Sequence, residues 1–278
     1  MRSRRPRGVT LKTPEQVALM RAAGLVVART LDRLVAAALP GATTGALDRL
    51  AEESIRAEGA VPSFLGYHGF PGSICASVND EVVHGIPAFE RVLQEGDLLS
   101  LDCGAILDGW HGDAAVTVAV GEASEELLAL SRVTEEALWA GLRAVRPGGR
   151  LSDVGAAVQG ALLPHGYGLV EDYTGHGIGR AMHEPPYVPN LAPEGPGRGM
   201  LLEPGVVLAV EPMATLGSPL VRELDDGWTV VTGDGRPAAH WEHTVAVTPN
   251  GPWVLTALDG GAVRLPATPA LDLGRRTT

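Results

Sequence analysis

The sequence is poor in lysine, cysteine and aromatic residues. Lys12 is its only lysine, so arginine supplies nearly all of its positive charge. Lys and Arg number 22 against 33 Asp and Glu, which gives a formal net charge of −11. Because nucleic-acid-binding proteins carry a basic patch or stripe, this balance argues against DNA as a partner.

Long apolar runs are also missing. No run of about 18 residues is free of charge, proline and glycine, so we expect no membrane-spanning helix. Residues 2–7 are basic like the start of a secretion signal, but Arg21 interrupts the segment that would form its apolar core. Cys75 and Cys103 are too few for a disulfide-rich secreted domain. We therefore expect a soluble cytoplasmic protein of enzyme size, without a membrane partner.

Four amphipathic helices are predicted, in two pairs. A shift of 107 residues superimposes the breaks that end the first and third helices, together with apolar positions of the helices that follow. This agreement indicates an internal duplication of a helix–helix–sheet unit, the alternative being that all helical hairpins look alike. The predicted starts are the capping box Thr13-Pro14-Glu15-Gln16, Thr44, Ser124 and Ser152, and the breaks are Pro40-Gly41 and Pro147-Gly148.

Composition divides the chain into three regions. We expect a flexible basic arm over residues 1–12 and a single catalytic domain over residues 13–250. Proline, glycine and threonine are frequent after residue 250, so residues 251–278 are predicted to form a loose tail. The arm either contacts ribosomal RNA or stays in solvent, which is the commoner role of charged termini.

Two aspartates lie on a predicted β-hairpin. Asp108-Gly109 between extended runs is a strong signal for a two-residue turn. With this turn, Asp102 lies opposite Ala115. Asp113 lies opposite Gly104, so the two aspartates share one face as diagonal neighbours. The flanking residues are apolar and predict a buried pair, which needs a metal ion, a base or a proton; we favour a metal over two solvent-exposed acids.

Two glutamates and three histidines stand in comparable surroundings. Glu211 directly follows an apolar segment, and Glu242 lies just before one. His176 is flanked by glycines, as expected where the backbone passes close to a site. His183 and His84 lie near further glycines and prolines. Each histidine alone is more often a loop or packing residue than a ligand.

Taken in order, these segments resemble the type I methionine aminopeptidases, which are pita-bread metallopeptidases. The match spans roughly residues 13 to 250 and rests on five separated motifs. It implies an α+β pita-bread fold with pseudo-twofold duplicated helix–helix–sheet units and a central curved antiparallel sheet. The motifs are Asn79 to Pro87 with His84, Asp102 with Asp113, Gly175 to Gly179 with His183, Glu211-Pro212-Met213, and Trp241-Glu242-His243-Thr244.

The resemblance also implies a metal-dependent activity. Such an enzyme removes the initiator methionine from nascent polypeptides and prefers a small second residue. It uses two divalent metal ions, and carboxylates with imidazole suit Co, Mn, Fe or Zn. Asp113 and Glu242 would bridge both ions. Asp102 would complete the ligands of one ion, and His176 with Glu211 those of the other.

Catalytic roles and partners follow from the same resemblance. His183 would stabilise the developing oxyanion, and His84 would contact the scissile amide or the leaving amine. Glu211 would relay the proton of the attacking water while remaining a ligand. The expected partners are nascent polypeptide N-termini, at the ribosome or away from it, and the expected oligomeric state is a monomer.

A pocket for the first side chain is implied by aromatic and sulfur-containing residues, which suit a thioether. Phe70 and Met182 stand where the family pattern usually has other aromatics, and Phe64 stands where it has a small residue. These departures change the shape of the pocket, and for Phe64 ordinary core packing is an equally good explanation. The implied substrate-binding residues are Tyr67, Phe70, Cys75, Met182 and Trp228, together with His84 and His183.

Three alternatives fit less well. Xaa-Pro peptidases of this fold carry a large N-terminal domain, whereas the helical unit here begins by Thr13. Non-catalytic pita-bread proteins lose ligands and are typically basic, whereas this chain keeps all five ligand positions and a net charge of −11. A type II methionine aminopeptidase would carry a helical insertion between the His183 and Glu242 segments, and the interval here is too short for one.

Overall fold

The computed structural model describes residues 8–192 and 199–265. Within these residues the chain forms four α-helices and fifteen β-strands. The helices are α1 (Pro14–Ala37), α2 (Thr44–Ala57), α3 (Glu125–Ala144) and α4 (Leu151–Leu162). The strands are β1 (Val61–Pro62), β2 (Ile74–Val78), β3 (Glu81–Val83), β4 (Leu98–Leu107), β5 (Trp110–Ala119), β6 (Gly168–Leu169), β7 (Gly175–Gly177), β8 (Glu184–Val188), β9 (Val207–Val210), β10 (Met213–Thr215), β11 (Val221–Glu223), β12 (Val230–Thr232), β13 (Ala238–His240), β14 (Glu242–Thr248) and β15 (Gly251–Val254).

Side-chain caps fix the starts of α1 and α3. The Gln16 backbone N–H donates to Thr13 Oγ1 over 3.3 Å, and the Thr13 N–H donates to Gln16 Oε1 over 3.0 Å. These two bonds confirm the predicted capping box. At α3, the Leu127 N–H donates to Ser124 Oγ over 3.4 Å, as the sequence predicts.

The second helix pair repeats the order of the first, but its second helix starts earlier than predicted. We expected α4 to begin at Ser152, and it begins at Leu151. The Asp153 carboxylate accepts a hydrogen bond of 2.8 Å from the Arg150 N–H. That bond satisfies a free N–H at the helix end, so the helix starts ahead of the serine.

The main sheet contains nine strands among the described residues, and these strands pair in antiparallel fashion. Its strand order is β1-β4-β5-β14-β9-β7-β8, with β2 also paired to β4 and β15 to β14. Two three-stranded sheets, β13-β10-β6 and β11-β12-β3, accompany it. The curled antiparallel sheet with its two helix pairs is the pita-bread fold that the resemblance implied.

The helices cover one face of the main sheet. Leu99 and Leu101 of β4 pack in a buried cluster with residues of α1 and α2. Leu208 and Val210 of β9 pack in a second buried cluster with residues of α3 and α4. Because side chains alternate across a strand, residues such as Asp102 project from the opposite face. One face of the sheet therefore builds the core and the other is free to build a site.

The β4–β5 hairpin has the predicted register. Asp102 pairs with Ala115 and Gly104 pairs with Asp113, across the two-residue turn at Asp108-Gly109. Both turn residues have positive φ, 52° and 75°, as this tight turn requires. The register therefore confirms that the two aspartates share one face.

The ends of the described chain are packed against the fold. Strand β15 pairs with β14, so the expected domain boundary after residue 250 falls between two paired strands. The Arg21 guanidinium donates to the carbonyls of Leu255 (2.6 Å) and Ala257 (2.5 Å), which holds the following segment to α1. At the other end, the Lys12 N–H donates to the Gly205 carbonyl over 2.8 Å.

The outer parts of the expected arm and tail lie outside the described residues. These are residues 1–7 and 266–278, and the same is true of residues 193–198. None of the helices in the described ranges has the length and apolarity needed to cross a membrane.

Candidate metal centre and substrate pocket

Five neighbouring strands each contribute one of the predicted metal ligands. The strands are adjacent in the sheet, in the order β4, β5, β14, β9 and β7. Their registers and the two-residue period of a strand place all five side chains on the face opposite the helices. In strand order the residues are Asp102, Asp113, Glu242, Glu211, which directly follows β9, and His176.

His176 faces two of the carboxylates. Its Nε2 lies 3.7 Å from Asp113 Oδ2 and 3.6 Å from Glu211 Oε1. Its Nδ1 lies 2.9 Å from the Gly177 carbonyl oxygen, which only accepts hydrogen bonds, so Nδ1 carries the proton. Nε2 of the neutral ring is therefore an acceptor, which is the form that binds a metal.

The four acids destabilise one another in the absence of a cation. Burial raises the pKa of Asp102 to about 7. Burial and the Asp102 carboxylate raise the pKa values of Asp113 and Glu211 well above their ordinary range. Burial and the Asp113 carboxylate do the same to the pKa of Glu242. A cluster of acids with raised pKa values favours the binding of a cation.

Unpartnered oxygens show that the site fits a metal. Asp102 Oδ1, Asp113 Oδ1 and Glu242 Oε1 are buried and accept no hydrogen bond from the described residues. Buried acceptors are almost always paired, so three such atoms in one cluster need a ligand. Donor atoms of Asp113, His176 and Glu242 lie within 4.8 Å of one another, close enough to hold one ion. Carboxylate oxygens with one imidazole suit a divalent transition metal.

The acids and His176 form one end of a cavity of about 150 Å³. The cavity brings together every residue that the sequence analysis assigned to metal binding, catalysis or substrate binding. It also includes Phe64, whose ring lies so close to β4 that a Cβ on Gly104 would come within 2.8 Å of it. The lining residues are Phe64, Tyr67, Phe70, Cys75, His84, Asp102, Asp113, His176, Met182, His183, Glu211, Trp228 and Glu242.

The other end of the cavity is apolar. Phe64, Phe70, Cys75 and Met182 are each less than 10% exposed and form one buried cluster. The Phe70 and Trp228 rings make an edge-to-face contact with centroids 5.1 Å apart. A lining of rings and sulfur atoms suits an unbranched thioether side chain.

His183 and His84 lie between the acids and the apolar end as neutral rings. Burial lowers the pKa of both imidazoles, that of His84 to about 4. Tyr67 Oη lies 2.8 Å from His183 Nδ1. With Nδ1 accepting from the phenol, His183 Nε2 carries the proton and is a donor. His84 has a φ of 60°, a left-handed conformation that is unusual for a residue with a side chain.

The structure adds two residues that the sequence analysis missed, and both contact Glu211. His240 is 2% exposed, and its Nε2 lies 3.8 Å from Glu211 Oε2. Asn190 Nδ2 donates to the Glu211 carbonyl over 3.0 Å. The sequence offered one signal for His240, which is its position two residues before Glu242. Nothing in the sequence near Asn190 indicates its contact.

The fold and the site together define a metal-dependent hydrolase. The chain belongs to metallopeptidase family M24, whose family model matches residues 18–249. This confirms the family resemblance seen in the sequence.

Relatives match this sequence over most of its length. It is 55% identical over 262 residues to methionine aminopeptidase 1 of Mycobacterium tuberculosis, covering 92% of this chain and 97% of the relative. It is 52% identical over 248 residues to methionine aminopeptidase of Clostridium acetobutylicum, covering 89% and 98%. The crystal structure of methionine aminopeptidase from Rickettsia prowazekii matches with a TM-score of 0.87 at 40% identity, covering 90% of this chain and all of that one. The structural match confirms the pita-bread fold.

Proposed function

We propose that this protein is a methionine aminopeptidase. It removes the initiator methionine from nascent polypeptides in the cytoplasm, acting as a monomer at the ribosome or near it. The observation that carries this proposal is one cavity in which four clustered acids and an imidazole able to bind a metal meet an apolar, sulfur-lined end. The names of the M. tuberculosis and C. acetobutylicum relatives support the same activity.

The metal centre is proposed to hold two divalent ions, Co, Mn, Fe or Zn. Asp113 and Glu242 contribute to both ions, Asp102 to one, and His176 with Glu211 to the other. When bound, the ions supply Lewis acidity to the scissile carbonyl and activate the attacking water. The three unpartnered carboxylate oxygens and the raised pKa values support this assignment.

His183 is proposed to stabilise the oxyanion that forms at the carbonyl oxygen. Because Tyr67 holds the ring through Nδ1, the protonated Nε2 is free to donate to the substrate. A neutral imidazole that donates from a fixed position stabilises developing negative charge without reorganising. Its lowered pKa keeps the ring neutral at pH 7.

Glu211 and His84 are proposed to handle the proton and the leaving amine. Glu211 accepts the proton of the attacking water on Oε2, the oxygen nearer His240, and passes it to the leaving nitrogen. A carboxylate positioned beside the attacking water serves as its general base. His84 hydrogen-bonds the scissile amide nitrogen and so orients the bond to be cleaved.

The apolar end is proposed to bind the methionine side chain. Phe64, Phe70, Cys75 and Met182 enclose it, and Trp228 packs against Phe70. A branched side chain would overpack this enclosure, whereas an unbranched thioether adapts to it.

Peptide cleavage tests the proposal. The metal-loaded protein should release methionine from a Met-Ala-Ser peptide and leave an Ala-Pro-Ser peptide intact, as followed by mass spectrometry. Cleavage of the Xaa-Pro peptide alone would instead assign the chain to the other activity of this fold. A matched protein carrying Asp113→Ala is the control for a contaminating peptidase.

A further inference from the structure

The only lysine of the chain is buried against the segment that carries His183. Lys12 Nζ lies 2.7 Å from Glu184 Oε2, and the two side chains are 5% and 14% exposed. Thr10 Oγ1 donates to the same carboxylate oxygen over 3.2 Å. An ion pair this well buried differs from the exposed pairs of the helices, which contribute little to structure.

The other oxygen of Glu184 organises the residues that precede it. Oε1 accepts hydrogen bonds from the backbone N–H groups of Arg180 (2.8 Å) and Ala181 (3.2 Å). These bonds close residues 179–184 into a loop, which we call the His183 loop. Met182 and His183 both lie on this loop and both line the cavity.

Lys12 itself is also fixed to the segment that precedes β9. Its backbone N–H donates to the Gly205 carbonyl, just ahead of β9, the strand that leads into Glu211. The packing between Lys12 and the His183 loop is close. A Cβ on Gly179 would lie 2.7 Å from Lys12 Cε and 2.5 Å from Glu184 Oε1.

We propose that Lys12 is a positioning residue for catalysis. Through Glu184 it holds the His183 loop so that His183 faces the substrate carbonyl and Met182 closes the side-chain pocket. The effect on kcat that follows from this inference rests on the proposed function. The structural part of the inference, that Lys12 controls the position of the His183 ring, does not depend on which reaction the protein catalyses.

A double-mutant cycle separates positioning from general stabilisation. Lys12→Met should lower kcat on a Met-Ala peptide roughly 10- to 100-fold, the size expected when a catalytic group is displaced by about 1 Å. In a His183→Ala background the same change should lower kcat less than about 2-fold, since two residues that act through one group are not additive. Equal losses in the two backgrounds would overturn the inference.

Two further variants guard against simple misfolding. Lys12→Met combined with Glu184→Gln leaves no unpaired buried charge, and it should keep the metal content and melting temperature of the wild type while its kcat stays low. Arg29→Met is the matched control, because it removes an ion pair with Glu58 that lies away from the cavity. A wild-type kcat in the variant that combines Lys12→Met with Glu184→Gln would overturn the inference, because it would show that the ion pair only stabilises the fold.

A spectroscopic measurement keeps this test distinct from that of the proposed function. In the metal-free protein, Lys12→Met should shift the imidazole ¹⁵N resonances of His183, which reports on its bond to Tyr67, and leave those of His165 unchanged. Unchanged His183 resonances would overturn the positioning role. If the wild type fails to cleave methionine but the resonances shift, the proposed function fails and the positioning role stands.

Discussion

Asp102 and Glu242 lie in the same row of the main sheet, on either side of Ala115. Asp102 pairs with Ala115 across the β4–β5 hairpin, and Glu242 pairs with the same alanine from β14. Asp113 lies two residues before Ala115 in β5, on the same face. The methyl group of Ala115 thus lies between the carboxylates of Asp102 and Glu242, and that of Asp113 is adjacent. The predictions below follow from this concentration of negative charge.

Neutralising one bridging acid should have opposite effects on metal binding and on metal-free stability. Asp113→Asn should lose most bound metal, because Asp113 is proposed to contact both ions. Without metal, the variant should melt at a temperature roughly 2–4 °C above the wild type, since its native state no longer has to keep a buried carboxyl protonated at this position. Elemental analysis and calorimetry check this, with the exposed Glu53→Gln as control. A variant that kept two ions per chain would refute the assignment.

The four acids should make the metal-free protein lose stability as pH rises above their ordinary pKa values of 3.8 for aspartate and 4.5 for glutamate. The raised pKa values of Asp113, Glu211 and Glu242 mean that the native state holds protons that the unfolded chain has released. The free energy of unfolding then falls as pH rises. Buried histidines such as His176, with a pKa of about 4, act in the opposite sense, but only below the ordinary histidine value of 6.5.

This pH dependence has a direct check. Relative to the metal-free wild type, Glu242→Gln should gain melting temperature as pH rises above 4.5, the ordinary value from which the pKa of Glu242 is raised. Added metal should flatten the dependence, because bound cations keep the carboxylates ionised in the native state. A melting-temperature difference between the two proteins that does not grow with pH would contradict the account.

Removing either cavity histidine should slow catalysis without removing metal. His183→Ala takes away the proposed oxyanion donor, and His84→Ala the contact to the scissile amide. Each should lower kcat by about 10²-fold or more. Metal content per chain should match the wild type in both variants. Loss of metal from either would mean that the residue is a ligand.

Small second residues should be preferred after methionine. Tyr67, His84 and His183 line the cavity that also holds the acids, where the scissile bond is proposed to lie. A Met-Leu peptide should therefore be cleaved at least about 100-fold less efficiently than Met-Ala, through overpacking. A Leu-Ala peptide should also be poor, because its branched side chain does not fit beside Phe70. Similar kcat/KM values for all three peptides would indicate a broad aminopeptidase.

Local signals in the sequence were enough to predict the parts of the fold that depend on neighbouring residues. The Asp108-Gly109 turn determined the hairpin register because a two-residue turn leaves no freedom in the pairing. The Thr13 and Ser124 caps likewise act within one helical turn. The ligand set came from family order, and the sheet then shows why residues so far apart in sequence meet: their strands are adjacent.

Long-range contacts were beyond such signals. The Lys12–Glu184 pair joins residues 172 positions apart, and no motif links them. The contact of Asn190 with Glu211 joins residues 21 positions apart, and nothing in the sequence near Asn190 indicates it. The expected tail after residue 250 looked loose because proline and glycine are frequent, yet Gly251 begins a strand paired to β14. Tertiary pairing outweighs such local composition.

The most direct test is to measure methionine release as metal is returned to the metal-free protein. With a Met-Ala-Ser peptide, the metal-free chain should be inactive, and activity should rise with each added equivalent of Mn, Co, Fe(II) or Zn until two ions are bound. Full release after exhaustive chelation, or no release with any of these ions, would contradict the account.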